Sequence, residues 1–231
     1  MRSLHYIQMV ILRELLFKPN ARFSDLNIKG LTSDHFSYHI NHLVELKYVS
    51  KNGGNYSLTV KGKEFANTMD TDDATVEKQP KVAVIIVVKR DDNGNTQLLM
   101  QERTKEPYFG YVGFFTGKVR FGEKILETAR REMKEETNLE GGEMFIRGLV
   151  HDHVVLENEG KLVEDKLFFV VTCDNPEGEL TDTQSGRNFW MDEKDFSSIE
   201  KKYYQEDTIL KIANSSNVLE FNENTFIVKE F

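Results

Sequence analysis

The segment at residues 117–139, GKVRFGEKILETARREMKEETNL, constrains this chain more than any other. Four apolar residues recur at helical spacing in its second half: Ile125, Leu126, Ala129 and Met133. This spacing predicts a glycine-rich loop followed by an amphipathic helix of about four turns. One side of such a helix must pack against a core, so the segment implies a domain large enough to cover that side.

The other side of the predicted helix carries a concentration of carboxylates. Residues three and four apart are neighbours on a helix, so Glu132, Glu135 and Glu136 lie on one narrow arc. Each like-charge pair costs roughly a few tenths of a kcal/mol, and within the cluster only Arg131 offsets the repulsion. A hard divalent cation that takes carboxylate oxygens would compensate it. The pattern therefore favours a magnesium site over a solvated, ion-paired helix face.

The same segment resembles the Nudix box, the signature of the Nudix hydrolase superfamily. The signature positions are occupied here by Gly117, Glu123, Arg131, Glu132, Met133, Glu135, Glu136 and Leu139. Asn138 stands where the family has its last glycine, and Asn is the residue next best suited to the left-handed conformation that closes the helix. The preceding run, VGFFTG at residues 112–117, lacks the proline and first glycine of the family pattern.

The resemblance implies a reaction, a cofactor and residue roles. Water attacks a phosphorus of a nucleoside diphosphate linked to another group X, with Mg²⁺ as the cofactor and Mn²⁺ as its alternative. The implied metal ligands are the carbonyl of Gly117 and the carboxylates of Glu132, Glu135 and Glu136. The implied catalytic residues are Glu136, Glu135, Arg131 and Glu123, with Arg131 orienting the carboxylates.

Two parts of the predicted site stay open at the level of sequence. The general base is favoured to be a box glutamate, with Asp182, Glu157, Glu159 and Glu164 as alternatives. Arg103, Tyr108 and Phe109 precede the box and are candidates to hold a substrate phosphate or to stack on a base. Downstream, His151 and His153 share one face of a predicted strand and are interpreted as surface residues rather than substrate contacts.

The first 70 residues predict a winged helix-turn-helix domain. Apolar spacing indicates helices over residues 4–17 and 23–27, and a third helix that opens at Thr32. A hairpin with the turn NGGN at residues 52–55 follows. The third helix and hairpin resemble the recognition helix and wing of small bacterial and archaeal regulators.

Candidate DNA contacts follow from this resemblance. On the third helix they are Ser37, Tyr38, Asn41 and His42, and in the predicted wing they are Lys51, Lys61 and Lys63. The third helix has no Lys or Arg before Lys47, although phosphate neutralisation dominates DNA affinity. Dimerisation or protein docking by the winged helix is therefore nearly as well supported as DNA binding. His35, His39 and His42 are interpreted as surface histidines of this helix.

Charge and composition support two domains in an α+β protein. Residues 1–70 contain nine Lys and Arg against six Asp and Glu, whereas the remainder contains 21 against 32. The acidic segment at residues 71–80 reads as a linker. Residues 81–231 then predict a Nudix α/β/α sandwich with a mixed sheet, ending in a helix over residues 200–213 and a hairpin around Asn222-Glu223-Asn224. No apolar run is long enough to span a bilayer, so we expect a cytoplasmic protein, and a homodimer.

Two functions of different classes fit this sequence. The first is a hydrolase whose winged helix contributes DNA binding or dimerisation. The second is a transcriptional regulator whose Nudix-like domain senses a nucleotide metabolite such as ADP-ribose. Every box glutamate is present, which favours the hydrolase. An isopentenyl-diphosphate isomerase relative would need a catalytic cysteine ahead of the box, and the single cysteine, Cys173, lies behind it.

Overall fold

A computed structural model describes most of the chain. The described residues are 4–26, 31–70, 72, 74–203, 205–217 and 219–229. The chain divides into two compact units, Met1–Lys78 and Gln79–Phe231. Each unit encloses its own apolar core.

Helices and a small sheet make up the described part of the N-terminal unit. The helices are α1 (Tyr6–Phe17), α2 (Phe23–Leu26), α3 (Ser33–Glu45) and α4 (Val60–Ala66). The strands are β1 (Ala21–Arg22), β2 (Val49–Asn52), β3 (Asn55–Leu58), β4 (Met69–Asp70) and β5 (Thr75–Val76). The first three strands form an antiparallel sheet in the order β1-β3-β2. Helix α3 begins after Thr32, whose hydroxyl accepts a hydrogen bond from the His35 N–H at 3.3 Å. Asn27, predicted to end the second helix, lies outside the described residues.

Helix α4 occupies the segment that contains Lys61 and Lys63, which the sequence analysis placed in the wing. The hydroxyl of Thr59 caps it by accepting a hydrogen bond from the Gly62 N–H at 3.0 Å. A Cβ at Gly62 would lie 2.0 Å from the Tyr48 carbonyl oxygen, so glycine permits this close packing. Lys61 and Lys63 therefore lie on a helix and not on the hairpin. The short β4–β5 pair also extends into the segment predicted as a linker.

A mixed sheet forms the centre of the C-terminal unit. Its strands are β6 (Lys81–Asp92), β7 (Asn95–Arg103), β8 (Val112–Gly113), β9 (Phe115–Lys118), β10 (Glu143–Leu156), β11 (Lys161–Asp174), β12 (Gly186–Asp192) and β13 (Glu220–Val228). The order is β12-β7-β6-β11-β10-β13, with β8 paired to β7 and β9 to β6. The β6–β11 and β10–β13 pairs are parallel and the others are antiparallel.

Helices cover both faces of this sheet. They are α5 (Ile125–Thr137), a 3-10 helix (Glu193–Ser198) and α6 (Glu206–Ala213). Side chains alternate along a strand, so Val84 and Ile86 of β6 join the core under α5 while Ile85 joins the core under α6. Ala129 and Met133 of α5 are buried in this core, and Ile125 and Leu126 pack against it while partly buried, as the apolar spacing predicted. The prediction of a mixed sheet between helical layers is confirmed.

The C-terminal end differs from the sequence prediction. Residues 217–230 were expected to form a hairpin, and this expectation is wrong: β13 is one strand parallel to β10, with Glu220 opposite Gly148 and Val228 opposite Leu156. The polar residues Asn222, Glu223 and Asn224 lie within this strand and pair with β10. The side chain of Asn224 also donates to Asp152 at 2.9 Å. The helix expected from residue 200 begins at Glu206.

In the part of the chain that the structure describes, no helix has both the length and the apolar character to cross a membrane.

Candidate active site

Helix α5 places the box carboxylates, and its two ends are held by local chemistry. At the start, the backbone N–H of Lys124 donates to Glu127 at 3.1 Å. At the end, Asn138 adopts the left-handed conformation, with φ 63° and ψ 4°. Its side chain donates to the Glu179 carbonyl at 3.0 Å. Asparagine thus serves the geometric role of the family glycine.

Arg131 connects the carboxylates of the box. Its guanidinium donates to both oxygens of Glu123 at 2.6 and 2.8 Å, in bidentate geometry. The same group donates to Glu132 at 2.6 Å and to Glu135 at 3.1 Å. A further bond, to the Lys118 carbonyl at 3.1 Å, ties α5 to β9. One cation therefore sets the positions of three glutamates.

Electrostatics differ sharply among these glutamates. The hydrogen bond from Arg131 lowers the pKa of Glu123 to about 2. Burial raises the pKa of Glu132 despite the neighbouring guanidinium, and the charges of Glu135 and Glu136 raise it further. The charge on Glu132 is therefore incompletely compensated by protein groups, a donor set that fits a divalent cation bound through oxygen.

Gly117 of β9 lets this carboxylate approach the sheet. A Cβ at Gly117 would lie 1.9 Å from Cγ and 2.1 Å from Cδ of Glu132, so any larger residue would occupy the space of that side chain. The backbone of Gly117 and the carboxylate of Glu132 are neighbours for this reason. These two predicted metal ligands are brought together by the fold.

Glu136 is held separately, through neighbours that the sequence did not indicate. Its Oε2 accepts hydrogen bonds from Gln101 at 3.3 Å and from Thr183 at 3.2 Å. The side chain of Asn188 donates to the Glu136 carbonyl at 2.6 Å. These residues come from β7, β12 and the loop before β12, so their proximity to α5 arises from the tertiary structure.

A cavity of about 400 Å³ opens beside this end of the helix. It is lined by the box residues Gly117, Lys118 and Glu136, by Arg103 and Tyr108, and by further polar residues Lys81, Asp152, Glu164, Lys166, Tyr203 and Glu206. Glu132 and Glu135 stand outside its lining, within one turn of Glu136. The cavity thus joins one box carboxylate to cationic, acidic and aromatic side chains.

The three predicted substrate residues have different surroundings. Arg103 lines the cavity, but its guanidinium also donates to the carbonyls of Lys105 at 2.9 Å and Pro107 at 2.6 Å. It therefore shapes the loop after β7. Tyr108 lines the cavity, and its ring lies 5.6 Å from that of Tyr203. Phe109 is 61% exposed and is not part of the lining.

Two buried acids near the cavity were missed by the sequence interpretation. Asp152 of β10 is buried, and this burial raises its pKa. Glu206 at the start of α6 accepts a hydrogen bond from the Phe114 N–H at 3.1 Å, and burial raises its pKa to about 8. Strand alternation could have revealed Asp152, which points away from both neighbouring histidines. Glu206 carried no signal, because an acid in a helix is usually exposed.

The alternatives for the general base also separate in space. Glu136 and Glu164 line the cavity, and Glu164 pairs with Lys166 at 2.6 Å. Asp182 instead accepts a hydrogen bond from the Asn188 N–H at 2.8 Å. Glu157 follows β10 at the turn into β11. The choice of a box glutamate remains a prediction.

The predicted DNA contacts lie on α3 and around the hairpin. Tyr38 and Asn41 are exposed, whereas Ser37 and His42 are partly buried, and Nδ1 of His42 lies 2.7 Å from Gln8. On the hairpin, Lys51 is exposed on β2.

Lys61 lies on α4, where it donates to the Leu46 carbonyl at 2.8 Å and lies over the Tyr48 ring, and its contact with DNA stays a prediction. One expectation about this region is wrong. His39, expected at the surface, is buried and stacks on His5 at a ring distance of 4.6 Å.

Comparison with known proteins identifies the family. The C-terminal unit is an α+β domain in which a mixed sheet lies between helices and an acidic helix lies beside a polar cavity. The NUDIX domain model matches residues 79–211, more than half of the chain, and the chain belongs to this family. No curated protein matched in a separate search.

Two solved structures share the fold at low sequence identity. The NUDIX domain of Shewanella oneidensis NrtR, complexed with ADP-ribose, is 14% identical over 65% of this chain and 95% of that one, with a TM-score of 0.53. The MutT protein of Bacillus halodurans is 21% identical over 65% of this chain and 93% of that one, with a TM-score of 0.55.

Proposed function

We propose that this protein is a Mg²⁺-dependent hydrolase that cleaves a diphosphate bond in a nucleoside diphosphate linked to a group X. The observation that carries this proposal is the arrangement of the box carboxylates: Arg131 holds Glu123, Glu132 and Glu135, and Glu136 lines the adjacent polar cavity. A protein that only binds a nucleotide has no need to gather three glutamates around one guanidinium, with a fourth about one helical turn away, at a cost in repulsion.

The proposed roles follow from the contacts. The Gly117 carbonyl, Glu132, Glu135 and Glu136 would hold Mg²⁺, with Mn²⁺ as the alternative. When bound, such an ion neutralises charge on diphosphate oxygens and lowers the pKa of the attacking water. Arg131 keeps the carboxylates in position while they are metal-free, and Glu123 keeps Arg131 in position.

The cavity supplies the remaining interactions. Lys81 and Lys166 offer positive charge for phosphate oxygens. Tyr108 and Tyr203 form an aromatic wall on which a base can stack, because every base presents a π face. Arg103 contributes by holding the loop that carries Tyr108.

The N-terminal unit is proposed to be a winged helix-turn-helix that binds DNA or forms a homodimer. The element order α1-β1-α2-α3-β2-β3 and the exposed Tyr38 and Asn41 on α3 support this proposal. A DNA-binding unit of this kind would also fit the second candidate function, a regulator that senses a nucleotide metabolite. The complex of the NrtR NUDIX domain with ADP-ribose makes ADP-ribose a ligand to test first.

The deciding experiment is product release with Mg²⁺ from a panel of nucleoside triphosphates, ADP-ribose, dinucleotides and nucleotide sugars. The native protein is compared with Glu136→Gln and with Glu143→Gln, an exposed glutamate at the start of β10 that serves as the matched control. We expect turnover of one substrate class, a loss of about 10²- to 10³-fold in kcat for Glu136→Gln, and no loss for the control. Absence of turnover, combined with a melting-temperature shift by one panel member, would support the regulator instead.

A further inference from the structure

A second cluster of titratable side chains lies on the face of the sheet opposite the cavity. Asp152 of β10 lines the cavity, and because side chains alternate, His151 and His153 point to the other face. Strand β11 places Asp165 opposite His153. Strand β13 places Glu223 opposite His151. Three adjacent strands therefore bring two imidazoles and two carboxylates together.

The distances within this cluster approach those of a coordination sphere. Nε2 of His151 lies 2.9 Å from Oδ1 of Asp165, and Nε2 of His153 lies 3.5 Å from the same oxygen. One potential ligand atom from each of these residues lies within 4.8 Å of the others. Ligand atoms around a tetrahedral zinc ion with bonds of about 2.0–2.1 Å are roughly 3.3 Å apart. The two separations from Asp165 bracket that value, so its carboxylate lies near coordination distance from both imidazoles.

The second ring nitrogen of His151 already has the partner that a metal ligand requires. Its Nδ1 lies 3.2 Å from Oε1 of Glu223. Metal-ligating histidines usually donate their other ring N–H to a carboxylate, which fixes the tautomer and orients the ring. Glu223 is in the right place for that role, with Nε2 of His151 left to face Asp165.

We propose that His151, His153 and Asp165 form a binding site for a first-row transition-metal ion, for which Zn²⁺ is the probe, with Glu223 orienting His151. Imidazole nitrogens suit Zn²⁺ and its neighbours, whereas Mg²⁺ prefers oxygen ligands, so the site differs in class from the carboxylates of α5. The side chains of His151, His153 and Asp165 are 24%, 38% and 32% exposed, so an ion can enter from solvent and keep a water as the fourth ligand. A bound ion would fasten β11 to β10, and through Glu223 also the terminal strand β13.

The test uses the full chain, stripped of metal with a chelator and titrated with Zn²⁺ by calorimetry. A large excess of Mg²⁺ keeps the carboxylates of α5 occupied. We expect one Zn²⁺ per chain for the native protein. His153→Asn should weaken binding by more than about 100-fold, and Glu223→Gln by about 10- to 100-fold. Glu136→Gln and His35→Asn, which change the box and a histidine of α3, should bind Zn²⁺ as tightly as the native protein.

A measurement on the native protein avoids any effect of substitution on folding. The chain has six histidines, so NMR resonances of the imidazole rings can be followed individually. Zn²⁺ should shift the resonances of His151 and His153 at one equivalent and leave the other four unchanged. Lack of saturable Zn²⁺ binding, or shifts confined to His5, His35, His39 and His42, would overturn the proposal and leave the cluster as an ion-pair network between strands.

Discussion

Helices α3 and α5 both have 13 residues and both carry the side chains proposed to act, yet their surfaces are opposite in kind. Helix α5 has more carboxylates than its cations compensate, and Arg131 bonds two of them, Glu132 and Glu135, together with Glu123 in the loop before the helix. Helix α3 has no Lys or Arg, and its exposed side chains include the neutral Tyr38 and Asn41. Crowded like charge has an energetic cost, and this cost is the reason for proposing a cation there. The exposed carboxylates of α3, Asp34 and Glu45, lie at opposite ends of the helix, so its surface is not crowded and indicates little about function.

The largest effect on the carboxylate arrangement of α5 is expected for Gly117→Ala. The new Cβ would overlap the side chain of Glu132, so we expect a loss of about 10²- to 10³-fold in kcat and a stability cost of about 1–3 kcal/mol. The double variant Gly117→Ala/Glu132→Ala removes the overlap. Measured by chemical unfolding, it should be no less stable than Glu132→Ala alone, while activity stays lost. Full additivity of the two stability costs would contradict the steric explanation.

Arg131→Lys tests whether the guanidinium geometry matters or only its charge. Lysine cannot reproduce the bidentate bond to Glu123 together with the bonds to Glu132 and Glu135, so we expect kcat to fall by about 10- to 100-fold. Arg130→Lys, at the preceding residue of α5, is the matched control and should retain full activity. Raising the Mg²⁺ concentration should recover part of the loss in Arg131→Lys. Equal activity of the two variants would show that charge alone suffices.

Glu206 gives the C-terminal unit a pH-dependent stability. Its pKa is about 8 in the folded protein against 4.5 for an ordinary glutamate, so the folded state keeps a proton that the unfolded chain has lost. Its stabilising contribution is complete below about 4.5 and is lost as the pH rises through about 8. Between about pH 5 and about pH 8.5, the melting temperature of the native protein should therefore fall more than that of Glu206→Gln. Glu200→Gln, at an exposed acid that does not act on Glu206, should follow the native protein.

The smallest effect is expected for Lys51→Ala on β2, which tests whether the N-terminal unit that contains α3 binds DNA. If the N-terminal unit binds DNA, the variant should weaken binding equally across sequences and reduce the salt slope by about 1. Lys18→Ala, which removes an exposed lysine paired with Glu14, is the control. Binding that is undetectable at low salt, together with a dimer in size-exclusion chromatography, would assign the unit to self-association.

The sequence predicted the parts of the fold that rest on local chemistry. The apolar spacing of Ala129 and Met133 indicated the buried side of α5, and Thr32 indicated the start of α3. The left-handed conformation of Asn138 followed from the glycine position that it occupies in the box. Each of these depends on interactions within a few residues, so the amino acids alone carry the information.

The errors fall where local signals compete with tertiary pairing. The polar triplet at residues 222–224 resembles a turn, yet it pairs with β10, because Asn224 bonds Asp152 and Glu223 meets His151. Lys61 and Lys63 were predicted to lie in the wing, yet they lie on α4, because Thr59 caps this helix and Gly62 fits against Tyr48. In both cases a partner more than ten residues away decides the outcome.

By itself, the sequence determined the family, the acidic helix and the residues that crowd around Arg131, because charge and periodicity act over a few residues. The tertiary structure alone decided which strand lies beside β10, which acids are buried at the cavity and which histidines meet a carboxylate. Those outcomes depend on pairings between distant segments: Glu206 reaches Phe114 only after α6 packs on the sheet, and His151 reaches Glu223 only after β13 adds to its edge. Burial and cross-strand distance are properties of the folded chain, and so are the pKa of Glu206 and the cluster on β10, β11 and β13.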